Sequence, residues 1–106
     1  YFSDHAAVPD KQRSIQFQNF GMTRIPLWIY LTDTYEKARP EVKVALEENK
    51  AKYFTNDLAY EMMCELMGIT SDHYDPTNSI ASKEYKYTRD MLVTCDGKIK
   101  IADDKQ

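Results

Sequence analysis

The chain is 106 residues long, with 17 acidic and 14 basic residues and a formal charge of −3. An apolar fraction of 42% with 12% aromatics is too rich for a disordered chain, and the length suffices for one hydrophobic core. The acidic balance gives no electrostatic reason to bind nucleic acid, and no apolar run approaches the roughly 18 residues of a spanning helix.

Tyr1-Phe2-Ser3 reads as the end of a strand. With no initiator methionine ahead of it, the expectation is a piece of a larger protein. From Asp4 to Gly21 a loop is predicted, marked by Pro9, Asp10, Asn19 and Gly21 and interrupted only by Ile15 and Phe17. Loops of that length in small domains are usually functional or mobile. Residues 25–31 carry the strongest strand signal. Ile25, Leu27, Ile29 and Leu31 lie on one side, and Pro26, Trp28 and Tyr30 on the other. Both faces are apolar, as in a sheet covered by helices, so a strand without its neighbours should drive self-association.

Thr32-Asp33-Thr34 reads as a turn and capping cluster, and Pro40 suits the first turn of a helix. Val42, Ala45, Leu46, Asn49 and Tyr53 then recur at helical spacing, with Glu41, Lys43, Glu47, Glu48 and Lys50 on the wet side. A second helix is expected after a Thr55 or Asn56 cap. Its stripe is Leu58, Ala59, Met62, Met63, Leu66 and Ile69, with Glu61 and Glu65 opposite and Gly68 as the stop. The methionines, Met67 included, read as gap-filling core. Residues 70–90 read as a surface crossing whose rings, Tyr74, Tyr85 and Tyr87, pack down. Asp96-Gly97 between two apolar runs predicts a hairpin with a type I′ turn. Asp103 to Gln106 reads as a frayed tail.

Asp4-His5 stands where a strand runs into a loop, the place where open α/β sheets gather ligands. Carboxylate oxygen and imidazole nitrogen are both zinc ligands. The triplet Ser3-Asp4-His5 returns as Ser71-Asp72-His73, so it carries little by itself. Nucleotide-binding glycine loops, GxSxG and HExxH are absent, and Cys64 and Cys95 lack CxxC spacing and read as separate thiols, with their pairing the alternative in an oxidising compartment.

In order and spacing, Tyr1-Phe2-Ser3-Asp4-His5, Thr23 through Leu31, and Tyr53-Phe54-Thr55-Asn56-Asp57-Leu58 together resemble the C-terminal part of the sulfatase-like phosphoethanolamine transferases. Leu66-Met67-Gly68-Ile69, Tyr74-Asp75-Pro76 and the closing hairpin extend the likeness over nearly the whole chain. That family belongs to the alkaline phosphatase superfamily. The resemblance implies an α/β fold, a partial sulfatase-like sheet with flanking helices, with residues 1–106 forming the C-terminal portion of one catalytic domain. It implies zinc, or another divalent metal, held by Asp4 and His5, with a threonine nucleophile and further acidic ligands upstream. A phospholipid would donate phosphoethanolamine to lipopolysaccharide or another glycan. The parent would sit in a bacterial inner membrane with its catalytic domain in the periplasm, and the isolated piece would be inactive.

Two features depart from the family pattern. Ala6 and Ala7 follow the pair where glycine and often glutamate are usual, and no second histidine precedes the strand at Ile25. A sulfatase or phosphodiesterase-type hydrolase, and a non-catalytic interaction domain that has lost its metal, are the alternative expectations.

Overall fold

Three punctuation marks, at Thr32, Arg39-Pro40 and Gly68, cut the middle of the chain into helices. The computed structural model describes residues 1–9, 20–94 and 97–105. A single helical turn, α1 (Phe20–Thr23), precedes them and buries Met22. Thr32 Oγ1 accepts the Tyr35 N–H at 3.2 Å and starts α2 (Asp33–Ala38). Where the sequence suggested only a turn, the cap opens a short helix. Pro40 occupies the first turn of α3 (Pro40–Asn49), which buries Val42, Ala45 and Asn49. This helix ends before Tyr53, because the Lys52 N–H folds back onto Asn49 O at 2.8 Å and tightens the last turn. α4 (Ala59–Met67) is entered through a 3-10 turn, Asn56–Leu58, and stops at Gly68 with φ +65°. That left-handed angle favours glycine, and a Cβ there would stand 2.8 Å from Arg39 Nη1.

The expected strand at 25–31 is extended and alternates as predicted, with Leu27 and Ile29 packed on the core. It has no ladder along its length. Among the described residues only Trp28 is paired, exchanging both backbone hydrogen bonds with Tyr1 at 2.6 and 2.8 Å, the antiparallel pattern. The Ala6 N–H reaches Met22 O at 2.8 Å, so residues 1–6 run back along residues 22–28. Its outer face is bare: Trp28 is 69% exposed and Tyr30 88%.

At the other end, β1 (Val93–Thr94) and β2 (Ile99–Lys100) pair antiparallel, with Val93 opposite Lys100 and Thr94 opposite Ile99. That register centres the connection on Asp96-Gly97, as expected, and Gly97 has φ +77°. The turn type rests on Asp96, which lies outside the described residues, as do Cys95, Asp10, Ile15, Phe17, Asn19 and Gln106. The fold is therefore a mixed helix and strand domain with a small two-stranded antiparallel sheet.

The core joins Val42 of α3, Leu58 and Met62 at the start of α4, and Leu92 beside β1 to Ile80, Ala81 and Tyr85. Its last three members correct the reading of residues 70–90 as a surface crossing, since Ser79 through Ser82 are all buried. The passage is tolerated because Asn49 Nδ2 donates to Ile80 O at 2.9 Å and Ser82 O at 2.8 Å. Two other expectations change. Met63, Met67 and Ile69 lie on the exposed side of the α4 region, leaving Met62 as the buried methionine of that helix. The tail is tied down: Ile101–Asp103 forms a 3-10 turn, and Arg24 donates from Nε and Nη2 to the two carboxylate oxygens of Asp104.

Candidate functional site

The Asp4-His5 turn is held from three sides. Tyr1 is tied to Trp28 and Ala6 to Met22, which fixes the chain on either side of the pair. From below, Asn56 Nδ2 donates to Ser3 O at 2.8 Å and lies 3.5 Å from Asp4 O. Ser3 Oγ donates to His5 O at 2.9 Å and closes the turn. So a contact across some fifty residues of sequence places this pair, and the sequence reading, which offered Asn56 only as a helix cap, did not see it.

The two predicted ligands do come together, with His5 Nε2 3.3 Å from Asp4 Oδ2. On the other side of the ring, Nδ1 lies 2.8 Å from Ala6 O. A carbonyl oxygen can only accept, so Nδ1 carries the hydrogen and Nε2 faces the carboxylate. Two lone pairs in that position repel unless a proton or a cation lies between them. A backbone carbonyl on one ring nitrogen is also how ligating histidines are commonly oriented. Tetrahedral zinc, with arms of about 2.0–2.1 Å, puts neighbouring ligand atoms about 3.3–3.4 Å apart. The observed separation therefore fits two adjacent corners of such a site. The Asp4 side chain is 81% exposed and His5 36%, leaving the open side to solvent. Among the described residues, no group of three or more His, Cys, Asp or Glu side chains is arranged to hold a metal. Asp4 and His5 thus bring together two donor types that zinc accepts.

The repeated triplet behaves differently. Ser71 Oγ takes the His73 N–H at 3.3 Å and meets Tyr60 Oη at 2.9 Å, while Asp72 and His73 both stay exposed. Of the two triplets, the one whose backbone carbonyls meet Asn56 has its carboxylate and imidazole facing one another.

Glu65 corrects the expectation of an exposed helix-face carboxylate. Its side chain is only 18% exposed, accepts from Tyr74 Oη, and lies 3.5 Å from Arg39 Nη2. Burial raises its pKa, and the nearby Arg39 charge only partly offsets that effect. Arg39 is also bound to Glu41, so this cluster braces the ends of α3 and α4. Cys64 is a buried free thiol, facing no argued chemistry.

A groove of about 630 Å³ lies between the extended segment and α3. Leu27, Ile29, Leu46 and Ile80 supply apolar walls, and Phe2 and Asn56 bring it beside the Asp4-His5 turn. Among the described residues, no helix is long and apolar enough to cross a membrane. No protein-family model, curated protein or solved structure matches the chain.

Proposed function

We propose that the chain is the C-terminal part of a sulfatase-like catalytic domain that transfers phosphoethanolamine from a phospholipid to lipopolysaccharide or another glycan. The observation that supports this reading is the facing of Asp4 Oδ2 and His5 Nε2 at 3.3 Å, at the mouth of an extended segment. In it, Asp4 and His5 hold two corners of a zinc shell, and the nucleophilic threonine and remaining ligands come from other segments of an alkaline-phosphatase-like sheet. Bound zinc supplies Lewis-acid stabilisation to the negative charge on the group in transit and favours the ionised nucleophile. The chain's own residues act by position. Ala6 O keeps Nδ1 protonated and Nε2 directed at the carboxylate. The exposed side of the pair leaves room for a large substrate. In this reading the parent is anchored in a bacterial inner membrane and works in the periplasm.

Metal analysis and a transfer assay test the proposal. The full-length chain should retain zinc through dialysis and label a glycan acceptor, whereas the 106-residue piece should lose its metal and be inactive. Asp4→Asn and His5→Gln should each remove zinc and transfer together. Release of phosphoethanolamine to water alone would identify a hydrolase. Full zinc occupancy in both variants would overturn the ligand assignment. Ala6-Ala7 favours a second reading, an interaction domain without metal, and a zinc-free full-length chain would establish it.

A further inference from the structure

We propose that Asn56 is the positioning residue of the Asp4-His5 pair, its amide clamping the carbonyls of Ser3 and Asp4 so that carboxylate and imidazole face one another. The inference rests on the reading of that pair as metal ligands and adds the residue that sets their geometry. Three observations carry it. Asn56 Nδ2 is 2.8 Å from Ser3 O and 3.5 Å from Asp4 O, two acceptors that fix which end of the amide points at the turn. Its other end, Oδ1, is buried without a hydrogen-bond partner among the described residues. Asn56 is the first residue of the 3-10 turn, one place past the Thr55 N-cap, so its amide is not engaged in capping and is available to the distant carbonyls. The second Ser-Asp-His triplet, with no amide beneath it among the described residues, leaves its aspartate and histidine apart.

Asn56→Asp tests this cleanly. The replacement is isosteric and remains a good residue for the start of a helix, but sets a carboxylate against two carbonyls. In the full-length chain, zinc affinity measured by chelator competition should fall about 10–100-fold, the range for lost outer-shell partners. The metal-free protein should melt at a lower temperature, because a partly buried carboxylate then faces carbonyl oxygens, so zinc affinity is compared well below both midpoints, where each protein is folded. Exchange of the Ala6 amide hydrogen, which donates to Met22 O, should speed up about tenfold in the metal-free protein as the turn loosens. Asn56→Ser, too short to reach Ser3 O, should reproduce both effects. Wild-type zinc affinity and wild-type Ala6 exchange in both variants would overturn the inference. So would a loss of affinity that vanishes when variant and wild type are compared fully folded, since Asn56 would then be a structural residue only. Asp4→Asn and His5→Gln separate the two failures. If these bind zinc like wild type, the ligand reading is wrong, and the Ala6 exchange rate alone judges the role of Asn56.

Discussion

Asn49 shows how one polar side chain makes a buried loop affordable. With both its amide hydrogens given to Ile80 O and Ser82 O, it satisfies the backbone of a segment that runs through the core. Asn49→Leu keeps the branched shape and heavy-atom count and strands two buried carbonyls, at about 1–3 kcal/mol each before the gain in apolar burial. We expect a net loss of about 2–4 kcal/mol in urea unfolding, and a change under 0.5 kcal/mol would contradict this account. Tyr85 answers to the same rule. Its hydroxyl donates to Tyr53 O at 2.7 Å, and burial, helped by Tyr87 and Asp57, pushes its pKa well up. The unfolded phenol ionises near pH 10 while the folded one keeps its proton, so the stability is complete below about pH 10 and lost as pH rises beyond it. Tyr85→Phe should cost about 1 kcal/mol at pH 8 and flatten the alkaline decline, read from urea midpoints at several pH values. In sequence, Asn49 stood on the apolar stripe and Tyr85 among rings packing down, so their burial was legible. Their partners were not, because each lies more than thirty residues away.

At the scale of elements, local signals carried well. Pro40 and Gly68 bound their helices because a missing N–H and a left-handed φ are properties of single residues. The helix α2 escaped notice because it is six residues long and shows only one strong apolar anchor, Tyr35, whose hydroxyl bonds Leu66 O on α4. Glu65 was misassigned for a related reason: its charge suggested solvent, and only the arrival of Tyr74 and Arg39 encloses it. Because its folded pKa is raised chiefly by desolvation, its contribution favours the fold below the unfolded carboxylate pKa and fades as pH rises through the folded value. Glu65→Gln keeps an acceptor for Tyr74 and drops the buried charge. Its stability at pH 7 should match or exceed wild type, with a shallower change across the acid range in a pH series of thermal melts. A loss above 1 kcal/mol at pH 7 would show that the attraction to Arg39 outweighs desolvation.

Over the whole molecule, distant contacts join the ends. Arg24 and Asp104 link the extended N-terminal region to the tail, and Trp28 pairs with Tyr1. The bare aromatic side that results is the outer face of the expected strand, with Trp28 and Tyr30 turned to solvent. Its exposed rings, on a segment whose backbone pairs only at Trp28 among the described residues, should drive self-association, detected as a concentration-dependent sedimentation coefficient that Trp28→Ser with Tyr30→Ser abolishes. A single monomeric species for the unaltered chain at high concentration would overturn this expectation.

The sequence by itself determined the alternation at 25–31, the two longer helices with their stops, the closing hairpin, and the two candidate ligands, since each follows from spacing or the chemistry of adjacent residues. Tertiary structure decided which Ser-Asp-His triplet becomes a facing pair, which carboxylate is enclosed, and which polar stretch enters the core. Those outcomes depend on amides and hydroxyls delivered from remote positions, and a hydrogen bond a few ångströms long leaves no periodic trace in the order of residues.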